Sequence, residues 1–277
     1  MQAGTSSRLR VGARRVPTRI GALLPHGPRD FWLQFAVFWT FNLAYELTRG
    51  LVDGSRAEAL ATGRQVMEAQ RDLGILWELD VQRWAYDAPA VVMDVANLTY
   101  FNCQFTISFS LLLWIYVRRN HAFYFIRNTI MFANFMGLIG YVAFPTAPPR
   151  MYPEVGFVDS LLDASVNHES WLIRTLSNPY AAMPSLHTAY ALILGTAAVL
   201  VTRHLVIRLI WAGYPALVLF SIVATANHFI LDAVAGAVVA LFATLLSVAV
   251  ARGVAPRRGR APRGPLTPRL AASPTGD

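Results

Sequence analysis

The sequence predicts an all-α fold, a polytopic membrane protein with six transmembrane helices, and two observations support this prediction. First, 55% of the 277 residues are hydrophobic and only 14% are charged, with a mean hydropathy of +0.41, whereas a soluble domain of this length is usually more polar. Second, six separate apolar segments approach the roughly 20 residues that a helix needs to cross the hydrocarbon core. These segments are 31–48, 90–117, 122–144, 186–201, 205–224 and 228–251.

The distribution of arginine predicts how the six segments are oriented. Arginine concentrates before the first segment, between the second and third, between the fourth and fifth, and after the sixth. Because positive residues accumulate in cytoplasmic loops, both termini are expected in the cytoplasm. The loops 49–89 and 145–185 are then expected outside the cell, with the short turn 225–227. The lipid bilayer, here the plasma membrane, is the expected surrounding of the protein.

The two ends of the chain differ in composition from the part between them. Residues 1–30 and 252–277 are rich in Arg, Pro and Gly, which predicts disordered cytoplasmic tails. Residues 31–251 form the single predicted membrane domain. The formal charge of +8 comes from arginines that flank apolar segments, so nucleic acid is not an expected partner.

The first outer loop has a helical pattern of its own. Apolar residues recur in it at roughly helical spacing among charged ones, which predicts an amphipathic helix. With Trp77 and Trp84 on it, this helix either lies in the headgroup layer and covers a site from the side or packs on the outer ends of the membrane helices. The sequence leaves both possibilities open.

The first chemical element is the pair His228 and Asp232, at the start of the sixth segment. Ionisable groups beside a membrane helix cost several kcal/mol unless paired or hydrated, so they indicate function. A spacing of four residues is predicted to place both side chains on one helix face. The carboxylate would fix the imidazole tautomer and leave the outer nitrogen basic, as a nucleophile requires. The alternative is a pair that only ties helices together.

The second element is the stretch Met-Pro-Ser-Leu-His, directly before the fourth segment, which ends at His187. Pro184 suits the first turn of a helix, so Ser185 and His187 are expected at its positively polarised N-terminus. Such an end binds phosphate through backbone amides. Ser185 is predicted either to donate its hydroxyl to the phosphate or to cap the helix, and His187 to act as a general acid.

The third element is Arg150, which follows a proline-rich turn after the third segment. A stiff turn can direct a guanidinium at a phosphate in bidentate fashion. All three elements fall on the predicted outer face, and together they supply a nucleophile, an acid and positive donors, as phosphoryl transfer requires. No acidic cluster suited to Mg²⁺ is evident there, so neither a metal nor another cofactor is expected.

Three motifs of this chain resemble those of the type 2 phosphatidic acid phosphatase superfamily and, within it, the inositol phosphorylceramide synthase-like branch. They read, in chain order, Pro145-Thr-Ala-Pro-Pro-Arg150, Met183-Pro-Ser-Leu-His187 and Asn227-His228-Phe-Ile-Leu-Asp232-Ala-Val-Ala-Gly236. The resemblance covers roughly the second to the sixth segment. It implies a six-helix fold in which His228 is the nucleophile, His187 is the acid and Asp232 orients the nucleophile.

The chain departs from the wider superfamily pattern at three positions. Ala143 stands where that pattern has a Lys, Ile222 where it has an Arg, and Leu186 where it usually has a Gly. The same departures are expected in the synthase-like branch, which this chain resembles. The changes at Ala143 and Ile222 remove two positive phosphate ligands. Phosphate binding is therefore expected to depend on Arg150, backbone amides, and Asn227 or a second arginine. Arg174 and Tyr152 are the further candidates for this site.

The predicted function is that of a membrane-embedded phosphoesterase or phosphotransferase that acts on a lipid phosphate or a lipid-linked head group. Its phosphohistidine would be attacked next by water or by an alcohol such as inositol, and the sequence does not distinguish these outcomes. The alternative is a transporter or lipid-binding protein, in which Glu46, Asp94 and Asn97 would matter equally. The gathering of ionisable groups at one face argues against that alternative.

Overall fold

The computed structural model describes residues 24–51, 55–160 and 180–254, and within these ranges the regular secondary structure is helical. The predicted all-α class is confirmed. The nine α-helices of these ranges are α1 (Gly27–Leu51), α2 (Arg56–Asp72), α3 (Glu78–Asp87), α4 (Val91–Cys103), α5 (Thr106–Arg118), α6 (Asn120–Ala143), α7 (Leu186–Val201), α8 (Leu205–Ala224) and α9 (Ile230–Val254). Two 3₁₀ turns, Pro149–Met151 and Pro153–Val155, follow α6.

Three of these helices, α6, α8 and α9, are each long and apolar enough to cross a membrane, and α4 with α5 makes a fourth span if the two count as one. The described chain thus has three or four candidate spans, and six are not established. α7 is apolar but has only 16 residues, fewer than the roughly 20 of a full span. α1 has 25 residues, but Asp30, Glu46 and Arg49 make it more polar than a typical span.

The predicted second segment is not one continuous helix. The chain bends by 53° between α4 and α5, which corrects the expectation of one unbroken helix over 90–117. The carbonyl oxygen of Cys103, at the break, accepts hydrogen bonds from the hydroxyls of Ser108 at 2.9 Å and Tyr214 at 3.3 Å. These two side chains replace helical hydrogen bonds that the bend removes, so the break is tolerated at membrane depth.

The segment 49–89, predicted as the first outer loop, contains two helices, α2 and α3, where the sequence predicted one. Gly74 separates them with a φ of +68°, a left-handed conformation that favours glycine. Val66 and Met67 of α2 pack with Tyr152 and Phe229 in one apolar cluster, and α3 packs against α8. The loop therefore packs on the helix bundle. Contact with lipid head groups stays a prediction.

α7 lies at the centre of the bundle, where it packs against α6, α8 and α9. Ten of its 16 residues are buried, including Leu186 and Tyr190 in its first turns. Small residues let its neighbours approach closely: a Cβ at Gly236 of α9 would overlap the carbonyl oxygen of Ser185. The N-terminal end of α7 is therefore enclosed by other helices, and the site lies there.

Candidate active site

The three motifs meet through backbone hydrogen bonds. In the loop after α6, Thr146 donates to the carbonyl of Tyr180 at 2.8 Å and accepts from the amide of Ala182 at 3.2 Å. The amide of Arg150 donates to the carbonyl of Ala226 at 2.9 Å. The proline-rich loop is thus fixed both to the segment before α7 and to the turn before α9. The sequence predicted the shared face, and these bonds show how it is assembled.

His187 and His228 face each other across the site. The Nε2 atom of His228 lies 3.3 Å from the Nδ1 atom of His187, although the residues are 41 positions apart. The ring of His187 stacks on Tyr100 of α4, with centroids 4.5 Å apart and planes 19° apart. The two histidines that the sequence selected are therefore brought into direct contact.

His228 and Asp232 are paired, but not on one helix face. α9 begins at Ile230, so His228 lies in the turn between α8 and α9, which corrects the expectation that it opens the last helix. The Nδ1 atom of His228 lies 3.4 Å from the Oδ2 atom of Asp232, and the amide of Phe229 donates to the same oxygen at 2.8 Å. Asp232 thus caps the start of α9 and contacts the imidazole with one carboxylate oxygen.

Burial determines the charge state of the His228 ring in this turn. Burial lowers the pKa of His228 to about 3, helped by the positive charge of Arg150 and opposed by a hydrogen bond to the backbone of Ala182. The imidazole is therefore neutral near pH 7. Its Nδ1 atom faces Asp232 and its Nε2 atom faces His187.

Ser185 takes the capping role that the sequence left as one of two alternatives. It is the N-cap of α7, and its Oγ atom accepts from the amide of Thr188 at 3.4 Å. Its own amide donates to the carbonyl of Asp232 at 2.9 Å, and the residue is fully buried. Pro184 precedes this cap, so it lies outside the helix and not in its first turn as predicted. A hydroxyl contact from Ser185 to phosphate stays a prediction.

Arg150 and Asn227 are neighbours, as expected of residues that share a phosphate site. The Nη1 atom of Arg150 donates to the Oδ1 atom of Asn227, and its Nε atom lies 3.4 Å from the Oδ2 atom of Asp159. Asn227 is in turn held by Thr225, whose Oγ1 atom accepts from the Asn227 Nδ2 atom at 2.8 Å. The guanidinium is thus oriented beside His228 before any substrate enters.

Two residues of α2 and α3, which no sequence motif indicated, bind the start of α9. The amide of Ile230 donates to the Oε1 atom of Glu78 at 2.7 Å, and the amide of Leu231 donates to the Oε1 atom of Gln70 at 2.8 Å. Gln70 also donates to Glu78 at 2.6 Å, and both side chains are fully buried. Burial raises the pKa of Glu78, while these hydrogen bonds oppose the rise.

The contacts of Glu78 and Gln70 decide which helix end is available to an anion. The first amides of an α-helix lack partners within the helix and bind anions readily. At α9 these amides bind Glu78, Gln70 and Asp232. The N-terminus of α7, next to His187, is therefore the better candidate for substrate phosphate. Glu78 and Ile230 are 152 residues apart, so no local sequence pattern indicates that Glu78 caps α9.

The two further candidates for the phosphate site, Tyr152 and Arg174, are not seen beside the histidines. The hydroxyl of Tyr152 donates to the carbonyl of Leu60 at 2.8 Å, and its side chain is buried against α2, so it is engaged away from the histidines. Arg174 lies outside the described residues. Within the described residues, no three His, Cys, Asp or Glu side chains gather as they would around a metal ion.

Comparison with known proteins agrees with the motifs. The family model of the PAP2 superfamily matches residues 64–246, about two thirds of the 277-residue chain. The match includes both histidines, Asp232 and Arg150 but stops short of α1. Comparisons with curated proteins and with solved structures gave no match.

Proposed function

Since the chain belongs to the PAP2 superfamily, we propose that it is a membrane-embedded lipid phosphatase or phosphotransferase that works through a phosphohistidine at His228. One observation supports this most: the Nε2 atom of His228 faces His187 at 3.3 Å, while its other ring nitrogen faces Asp232 at 3.4 Å. This arrangement supplies an oriented nucleophile with an acid beside it, the requirement for covalent catalysis.

The reaction has two steps. In the first, the Nε2 atom of His228 attacks phosphorus, a P–N bond forms, the P–O ester bond breaks, and His187 donates a proton to the leaving oxygen. In the second, water or an alcohol attacks the phosphohistidine, His187 takes the proton from the attacking oxygen, and the P–N bond breaks. Substrate phosphate must enter between the two rings, so it replaces the contact that they make with each other.

Charge complementarity assigns the supporting roles. Asp232 stabilises the positive imidazolium that forms when His228 attacks phosphorus. Arg150 stabilises the negative charge on the phosphoryl oxygens, with the amides at the start of α7. A bound phosphate anion favours the protonated form of His187, the form that a general acid needs.

A lipid is the substrate class that the surroundings favour. The histidines lie at one end of α7, α8 and α9, next to helices apolar enough to contact acyl chains. A substrate whose phosphate binds at this end and whose apolar part lies along the helices would be a membrane lipid or would carry a lipid-linked head group. The motifs favour the inositol phosphorylceramide synthase-like branch, in which the acceptor is an alcohol such as inositol.

The activity is tested with purified protein and a panel of labelled lipid phosphates, with and without inositol and other alcohols. Release of inorganic phosphate indicates hydrolysis, and a new phosphodiester indicates transfer. Turnover should be unchanged by a chelator, because the proposed steps use only side chains, and vanadate should inhibit as a five-coordinate phosphorus mimic. Loss of turnover with chelator that Mg²⁺ restores would contradict the proposed chemistry.

The site is proposed to face outward in the plasma membrane, with both termini cytoplasmic, because arginine concentrates in the opposite segments. Single-cysteine variants in a Cys103→Ala background test this with an impermeant thiol reagent on intact cells. Glu58→Cys, exposed on α2, should be labelled, and Arg203→Cys, exposed in the turn between α7 and α8, should be labelled only after lysis. The reverse pattern would place the site on the cytoplasmic side.

A further inference from the structure

The matched motifs bring one cation to the histidines, and two positions that would supply others are apolar. Ile222 is fully buried in an apolar cluster, and Ala143 ends α6 without a charge. A phosphate monoester carries about −1.5 to −2 charges at pH 7, and charge-assisted hydrogen bonds from arginine are the strongest ligands for it. Arg150 alone would neutralise only part of that charge.

α1 is linked to the first turns of α7 through α6. The hydroxyl of Tyr190 donates to Asn134 of α6 at 3.0 Å, and Asn134 donates to Asn42 of α1 at 3.3 Å. Tyr45 of α1 is buried in the same apolar cluster as Leu186 and Tyr190 of α7 and Tyr141 of α6. Leu186 directly precedes His187 in the chain. The next turn of α1 after Tyr45 therefore lies at the level of the catalytic histidines.

Arg49 occupies this next turn. Its Cζ atom lies 5.9 Å from the centroid of the Tyr45 ring, and its Nη2 atom lies 2.9 Å from the Oε2 atom of Glu46. The Arg49 side chain is 20% exposed, so it is largely enclosed by protein. A positive group at the end of an apolar bundle is costly unless it is paired or hydrated, and Glu46 provides such a pair for Arg49.

An electrostatic interaction connects Arg49 to one of the two histidines, His187. The Arg49 charge acts on the ring of His187 and on Tyr100, the residue that stacks on His187. Tyr100 also interacts with the charge of Arg150. Two guanidinium groups thus act on Tyr100, one from α1 and one from the loop after α6, and the one from α1 also acts on His187.

We propose that Arg49 is the second phosphate-binding cation of this site, supplied by α1 and acting with Arg150 on the substrate phosphoryl group. This inference rests on the proposed function. Each arginine has an acidic partner, Glu46 for Arg49 and Asp159 for Arg150, which orients the guanidinium. A guanidinium carries five N–H donors, enough to serve a carboxylate and a phosphate together. Because α1 lies outside the family match at 64–246, no motif indicates this residue.

Vanadate binding by titration calorimetry tests the proposal without requiring turnover. Arg49→Ala should weaken vanadate binding by about 10- to 100-fold, the effect of losing a charge-assisted hydrogen bond. Arg49→Lys keeps the charge but not the planar fork, so it should bind vanadate with intermediate affinity. The matched control is Arg56→Ala, which removes an exposed arginine from the first turn of α2 and should bind as the wild type does.

Kinetics separate a ligand from a structural residue. Arg49→Ala should raise the KM for a phosphate substrate together with the vanadate dissociation constant. Unchanged vanadate binding in Arg49→Ala, with only a lower kcat or a lower unfolding temperature, would overturn the proposal. If Arg49→Ala does not fold, equal vanadate affinity in Arg49→Lys and the wild type would overturn it instead. If the wild-type protein hydrolyses phosphate esters and Arg49→Ala has the same KM and vanadate affinity, only the role of Arg49 is refuted. If the wild-type protein binds no vanadate, the proposed function is refuted as well.

Discussion

Replacing His228 with alanine is expected to abolish turnover, by about 10⁴-fold or more, as removal of a covalent nucleophile does in other enzymes. The physical reason is that Nε2 of this ring is the atom available to attack phosphorus, since Nδ1 faces Asp232 at 3.4 Å. Phosphate release or transfer by purified protein measures the effect. Asp232→Asn should slow the first step and leave vanadate binding nearly unchanged.

The control for this variant is His204→Ala, which removes an exposed histidine from the turn before α8. It should retain wild-type turnover. The unfolding temperature of His228→Ala must also be measured, because His228 is buried in a turn that joins two helices. A folded His228→Ala protein with substantial turnover would show that another residue carries the phosphoryl group.

Replacing His187 with alanine is expected to have an effect that depends on the leaving group. A general acid contributes about 10²- to 10⁴-fold when the leaving oxygen needs a proton, as an alkoxide of a lipid does. p-Nitrophenolate leaves without a proton, so p-nitrophenyl phosphate should be cleaved by His187→Ala at a rate much closer to that of the wild type. Parallel assays of both substrates with the same preparation measure the difference.

This comparison distinguishes an acid from a structural residue. His187 stacks on Tyr100 at 4.5 Å, so Tyr100→Phe, which keeps the stacking ring, is the matched control and should preserve the ratio of the two activities. Equal losses on both substrates in His187→Ala would contradict the role of His187 as a proton donor.

The helices of the bundle were predictable where apolar composition alone determines them. The segments predicted at 186–201 and 205–224 have the bounds of α7 and α8, and the segment 122–144 differs from α6 by one or two residues at each end. The bend at Cys103 was not predictable, because the polar groups that stabilise it include Tyr214, more than 100 positions away. Hydropathy along the chain does not report such a partner.

The site was predictable where its partners are close in sequence. A spacing of four residues brings His228 to Asp232 whether the first residue is helical or lies in the preceding turn, so the pairing was right although the local conformation was wrong. Glu78 and Arg49 were missed for the opposite reason. Glu78 contacts the start of α9 from a separate helix, and Arg49, the proposed second cation, lies on another. In the sequence each looks like one charge among several on a loop or at the end of an apolar segment.

Whether His228 carries the phosphoryl group is tested most directly by identifying the phosphorylated residue of the phosphoenzyme. Protein mixed with labelled substrate is quenched rapidly without acid, digested, and analysed by mass spectrometry. We expect an acid-labile phosphate on the peptide that contains His228, absent from His228→Ala and still formed in His187→Ala with p-nitrophenyl phosphate. A phosphate mapped to His187 in the wild-type protein would show instead that His187 is the nucleophile.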